Sequence, residues 1–371
     1  MDTKELKAEE DQSFFIEDRD QPIPPANVVA YNELRSCADL FRMYKNGKLE
    51  IQPDFQREVV WKQDERARFI DSLVKQLPIP SMCFSLDPKT QKWKVIDGLQ
   101  RMTSIISLLG DVPWTIPSVE DIHPLLKGKR NIDLRTGTDE EKAIFTSVED
   151  MSIPITVIRC DYSEKSHMRY LFMIFNRLNS GGVRLNSQEI RNCIYSGAFN
   201  DMLKKFDKED IHWQQVKRRI WGRMDRFRSV EILLRALAFA DQLSSYDGNI
   251  SGFLNDYMDA TSRKNAADIE AMRTSLAFMS SCALRMIAAL PSGKKSLTFA
   301  EGILVSLIKH SEVLRKVPQP ELVPLLKERA ITYANLPAFI IGQRYALSSE
   351  QIVKSRLGDA IGLFSNVVTT E

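Results

Sequence analysis

Apolar positions change their spacing along the chain, and those changes mark out its elements. In "DERARFIDSLVKQL", Phe69, Ile70, Leu73, Val74 and Leu77 recur at helical spacing behind Asp64, a residue suited to capping, which predicts a helix. "IPSMCFSL" and "KWKVI" read as strands on either side of the turn "DPKTQ". "DGLQRMTSIISLLGD" reads as a strand end, a sharp turn and a helix stopped at Gly110. Residues 111–150 are polar and irregular and are expected to be an insertion. "IPITVIRC" predicts a third strand and "EKSHMRYLFMIFNRL" a helix. "NSGG" ends that helix, and "NSQEIRNCIYSG" opens another, with Asn186 and Glu189 at capping-box spacing.

Beyond about Asp201 the strand signals stop. "SVEILLRALAFADQL", "IEAMRTSLAFMSSCALRMIAAL", "SLTFAEGILVSLIKHSEVLRKV" and "SSEQIVKSRLGDAIGLF" all carry helical periodicity. The expected fold class is therefore α+β: a domain with a small sheet at 27–165, then an all-helical domain at 166–371. Residues 1–26 are expected to be an acidic flexible tail. Up to residue 21 they hold eight acids against three bases, and "PIPP" follows.

Composition narrows the classes. A chain of 371 residues is too long for one small core. With 27% charged residues and a net charge of +2, no single polyanion-binding field dominates. Five widely spaced cysteines without a CxxC pair argue against a disulfide framework or a zinc ribbon. The charged first twenty residues resemble no signal peptide, and no run of eighteen apolar residues occurs; Arg235 interrupts the most apolar stretch. A soluble cytoplasmic protein with no membrane partner is expected.

Three stretches could carry chemistry. At Asp97-Gly98-Leu99-Gln100-Arg101 a strand turns sharply into a helix. Gly98 permits the turn, the new helix offers free N–H groups to an anion, and Arg101 adds a donor fork. Asp97 would repel a phosphate unless Mg²⁺ or a water intervened. Alternatively, Asp97 caps the helix and Arg101 makes a structural ion pair. The second stretch, "IQPDFQREVVW", repeats a Gln-Arg pair at Gln56 and Arg57, with Phe55 and Trp61 as anchors. In the third, "FNRLNSGGVRLNSQEIRN", Asn176, Asn179 and Ser180 flank Gly181 and Gly182. The glycines suit either a helix stop or an anion-binding nest.

Taken in order, "PDFQR", "LPIP", "VIDGLQRMTSI" and "FNRLNSGGVRLNSQEIRN" resemble the GmrS-type N-terminal domain of modification-dependent GmrSD restriction endonucleases, over roughly Leu34 to Ala240. The resemblance implies a ParB/sulfiredoxin-like N-terminal domain followed by helices. In that family an Asp-Gly-Gln-Gln-Arg turn is associated with binding and hydrolysis of a nucleoside triphosphate. Full-length members couple this activity to a C-terminal HNH nuclease acting on modified phage DNA. Carried over, it implies a nucleotide site from Asp97, Gly98, Gln100 and Arg101, joined by Gln56 and Arg57 and by Asn176, Asn179, Ser180, Gly181 and Gly182. Arg57 and Arg101 would meet phosphate oxygens, and Asp97 a metal ion or water. Asp97, Gln100 and Arg101 would form the catalytic set of an Mg-dependent triphosphatase.

Two departures qualify this picture. Leu99 stands where the family's first Gln is usual, and an apolar side chain cannot orient water. The four histidines, His123, His167, His212 and His310, are scattered rather than clustered as an HNH site requires. The chain is thus expected to act in antiviral defence with a partner nuclease rather than to cut DNA alone. A separate basic stretch, Trp213 to Arg228, holds Lys217, Arg218, Arg219 and Arg223 among aromatic residues. It suits either contact with DNA or a solvated helix face above core aromatics. The alternative functions are a non-enzymatic ParB-like DNA-binding protein and a scaffold with a decayed nucleotide site. Helices beyond Ser245 carry no motif, and packing, partner docking and a homo-oligomer interface stay open for them.

Overall fold

A computed structural model describes residues 24–51, 61–178, 186–222, 227–291, 296–336 and 349–367. They divide into two compact units, the first running from residue 22 to 184 and the second from 185 onward. The first is built on a five-stranded mixed sheet and the second is helical among its described residues.

In the sheet unit, β1 (Val29–Ser36), β2 (Leu49–Glu50), β3 (Met82–Leu86), β4 (Trp93–Asp97) and β5 (Ser152–Arg159) are ordered β1-β5-β3-β4-β2. β3 runs antiparallel to β4, with Leu86 opposite Trp93, and parallel to β5, with Phe84 opposite Val157. Asp87 closes the β3–β4 turn by accepting from Lys89 N and Thr90 Oγ1, at 3.1 and 2.6 Å. β3 and β4 are buried throughout but for Asp97, which explains why they read as mostly apolar, with Ser85 and Lys94 as buried exceptions. β1 and β2 escape a reading by hydrophobicity for opposite reasons. β1 is a largely exposed edge strand that carries Asn32, Glu33 and Arg35, and β2 spans only two residues.

Helices α1 (Cys37–Lys45), α2 (Gln63–Val74) and α3 (Leu99–Leu109) pack on this sheet. Ser36 caps α1 by accepting from Asp39 N at 3.1 Å. The expectation of an irregular insertion at 111–150 is corrected. The segment forms α4 (Asn131–Thr136) and α5 (Asp139–Asp150), and it buries Ile116, Val119, Ile122, Leu126, Leu134, Phe145 and Val148. Its order comes from capping and polar anchoring rather than from a long apolar stripe. Thr138 and Glu141 form a capping box, and Asn131 Nδ2 donates to Gly110 O at 2.9 Å, holding the end of α3. α6 (Lys165–Leu178) packs against β4 and lies in the sheet unit, which runs on to residue 184.

The helical unit holds α7 (Ser187–Ile194), α8 (Ala198–Glu209), α9 (Ile211–Ile220), α10 (Arg228–Gln242), α11 (Ile250–Ser262), α12 (Ala266–Ala288), α13 (Leu297–Lys309), α14 (Ser311–Lys316), α15 (Gln319–Ala334) and α16 (Glu350–Gly362). α10 is buried on every face from Ser229 to Ala240 and forms the centre of the unit. None of the five cysteines is in a disulfide. Among the described residues, no helix is long and apolar enough to cross a membrane.

Candidate functional site

The strand-to-helix turn forms as its sequence suggests, with one change of roles. Gly98, not Asp97, is the N-cap of α3, and its backbone sits in the left-handed region at φ 97°. A Cβ there would also lie 2.6 Å from Met82 Cγ on the neighbouring strand, so two independent constraints demand glycine. No side chain caps the helix. The first intrahelical bond is Met102 N to Gly98 O, which leaves the main-chain N–H groups of residues 99–101 outside the ladder.

Arg101 folds back over the turn. Its Nη2 lies 2.8 Å from Asp97 Oδ2, while Nη1 donates to Pro80 O and Nη2 reaches Ser81 O at 3.4 Å. The guanidinium thus braces the approach to β3 against the end of β4. Its side chain is 13% exposed, whereas that of Asp97 is 40% exposed. Burial pulls the Arg101 pKa down, and the charge and hydrogen bond of Asp97 work in the opposite sense. Leu99 packs against the sheet core. Gln100 faces the other way chemically: its Oε1 is buried without a hydrogen-bond partner.

Asn176 is half-buried on α6, whose packing against β4 brings that helix to the strand that ends in Asp97. Gln56 and Arg57, and Asn179, Ser180, Gly181 and Gly182, lie outside the described residues, as does Arg223. Trp61, expected to anchor the front loop, packs on Phe69 with ring centroids 5.7 Å apart. Among the described residues, no group of three or more His, Cys, Asp or Glu side chains is placed to hold a metal ion. A single Asp97 carboxylate matches the sparse protein ligation of Mg²⁺ shared with phosphates better than that of a dedicated metal cage.

The basic stretch separates into tied and free cations. Lys217 Nζ is held 2.9 Å from Asp207 Oδ1 and is mostly buried. Trp213 is fully buried against Trp221, at 6.2 Å, and donates to Asp207 Oδ1 at 2.8 Å. Arg218 and Arg219 are exposed and form no ion pair with any described residue.

The "QEIRN" part of the third motif turns inward instead of toward solvent. Asn186 and Glu189 form the capping box of α7, and Arg191 is buried against Glu231 at 3.1 Å and Asn255 Oδ1 at 2.9 Å. Sequence reasoning missed the carbonyls of Pro80 and Ser81, Met82 beneath Gly98, and Asp207 as a clamp on Lys217. The "LPIP" run hinted at the first of these, but a backbone acceptor leaves no side-chain signature. Residues 37–196 match the family model described as GmrSD restriction endonuclease, N-terminal domain. No curated protein and no solved structure matches the chain.

Proposed function

Because residues 37–196 carry a GmrSD-type N-terminal domain, we propose that the protein is a component of a restriction or anti-phage system that binds a nucleoside triphosphate at the Asp97–Arg101 turn. The uncapped start of α3 beside the half-buried Arg101 carries this reading. N–H groups at a helix start, aligned with the positive end of its dipole, suit a phosphate. Arg101 already serves Asp97 and two carbonyls, so its role is to hold Asp97 and the turn in place, with its remaining donors facing the ligand. Mg²⁺ would neutralise the charge between Asp97 and phosphate oxygens. Gln100 Oε1, an acceptor without a donor, would take an N–H or O–H of the ligand or its water.

Leu99 packs on the core and cannot orient an attacking water, which leaves that task to polar groups such as Gln100 and Asp97. The favoured version is therefore a nucleotide sensor with slow turnover or none, biasing engagement of DNA or of a partner nuclease. Triphosphates added with Mg²⁺ should raise the melting temperature of the wild-type chain, and this ligand-induced rise should be lost in Arg101→Ala and reduced in Gln100→Leu. If no triphosphate changes the melting temperature in either metal condition, the proposal fails.

The exposure of Arg218 and Arg219 favours a second reading, DNA binding through the backbone. Retention of duplex DNA should then weaken steeply with salt and fall further in the Arg218→Glu, Arg219→Glu double variant. Unchanged retention removes this reading and leaves the nucleotide site standing.

A further inference from the structure

Of the two strands at the edges of the sheet, β2 spans two residues and β1 eight, and β1 pairs with β5 alone. The β1–β5 register runs without a shift from Val29 opposite Arg159 to Ser36 opposite Ser152. The strand holds no proline and no lysine. It therefore lacks the devices that usually blunt an edge, which are shortness, a bulge, proline and lysine. Val29, Tyr31 and Leu34 are moreover three of the eight exposed large apolar side chains among the described residues, and Leu34 is 71% exposed.

Backbone parity decides which groups of β1 are on offer. Cys37 N donates to Met151 O at 3.0 Å, and that pair continues the β1–β5 register. Hydrogen bonds across an antiparallel pair are made by alternate residues. Val29, Tyr31, Glu33 and Arg35 thus spend their groups on β5, while those of Ala30, Asn32, Leu34 and Ser36 point outward. Val28 shares the outward parity, and its N–H is already taken by Pro25 O at 3.0 Å. Among the described residues, the uncovered edge therefore runs from Ala30 to Ser36.

We propose that a second copy of the chain docks on this edge, β1 against β1 in antiparallel register about a two-fold axis at Leu34. In that register Leu34 meets the partner's Leu34, an isologous contact. Glu33 stands opposite the partner's Arg35, and Arg35 opposite the partner's Glu33. Within one copy these two side chains already pair at 2.5 Å, and Asp39 holds the guanidinium at 2.6 Å. Two copies close a ring of alternating charge around the axis, at the more closely spaced class of cross-strand pair. Other registers of the same parity fail. Centred on Glu33 or Arg35, like charges face each other; centred on Tyr31 or Asn32, the partner strand overruns the Val28 turn. The interface uses no residue of the Asp97 turn and stands apart from the nucleotide reading.

Sedimentation velocity of the full chain across a micromolar concentration series tests the proposal. A monomer–dimer equilibrium is expected in the wild type. Leu34→Lys should weaken association by about tenfold or more, since two ammonium groups would meet on the axis. Val112→Lys, at another exposed apolar position, should leave it unaltered. Leu34 lies outside the core, so its substitutions leave the fold intact. The register has its own readout: under mild oxidation Leu34→Cys should form a disulfide-linked dimer, whereas the wild type and Ala30→Cys should not. Strand pairing sets the Cα atoms on the axis about 5.5 Å apart, within reach of a disulfide. Four of the five native cysteines are buried, which keeps the background low. A wild type that stays monomeric leaves the edge to another occupant and overturns the proposal. So does a dimer that survives Leu34→Lys, or one that Leu34→Cys does not cross-link.

Discussion

Gly98 and Gly47 are both left-handed, at φ 97° and 65°, but only Gly98 has a neighbour in the place of its absent side chain. Gly47→Ala should therefore cost roughly 1–2 kcal/mol for the backbone alone. Gly98→Ala should cost about 2–4 kcal/mol, because the new methyl also collides with Met82. Urea unfolding of the two variants measures the difference, and equal costs would mean that Met82 moves aside freely. The need for a glycine at Gly98 was legible in the sequence, since a strand ran into a helix with no room for a loop. The role of Arg101 was only half legible. Its spacing from Asp97 allowed an ion pair, but the carbonyls of Pro80 and Ser81 come from the segment leading into β3 and leave no trace in the local pattern.

At the scale of elements, the corner between β5 and α6 is held by Asp161. It accepts from Ser163 N at 2.9 Å and pairs with Lys89 Nζ at 2.7 Å. The hydrogen bond from Lys89 and those from Ser163 lower its pKa from 3.8 to about 2. A depressed carboxylate stabilises the fold above its unfolded value and loses that contribution as pH falls through the folded one. The melting temperatures of wild type and Asp161→Asn should therefore differ at neutral pH and converge as pH drops from about 4 to about 2. A gap that persists at the acid end would show that the pairing is not the source. At the start of α7, Asn186→Ala should cost about 1 kcal/mol in denaturant unfolding through loss of the capping box, and a neutral effect would contradict it. The capping signals at Asn186 and Thr138 stand in the sequence alike, yet α5 hides in a polar stretch where hydrophobic spacing is weak. Capping chemistry identifies such helices better than periodicity does.

Across the whole molecule, the end of the matched region does not coincide with the end of a folding unit. Residues 37–196 match the family model, but α7 belongs to the helical unit, where Arg191 and Ile190 are buried. A fragment ending at residue 196 should expose these groups and bind a hydrophobic dye more strongly than one ending at 184; equal dye binding would refute this division of the chain. The sequence by itself determined the three inner strands, the longer apolar-striped helices, the α+β order followed by helices, and the sharp turn at Asp97. Those features follow from spacing and steric rules that act within a few neighbouring residues. Tertiary structure alone decided that Lys217 is clamped while Arg218 and Arg219 are exposed, that Leu99 faces the core, and that Arg191 points inward to a glutamate forty residues away. Burial and partner choice depend on surfaces brought together from distant parts of the chain, and a polar side chain reads the same in sequence whether it meets solvent, a ligand or a buried counter-charge.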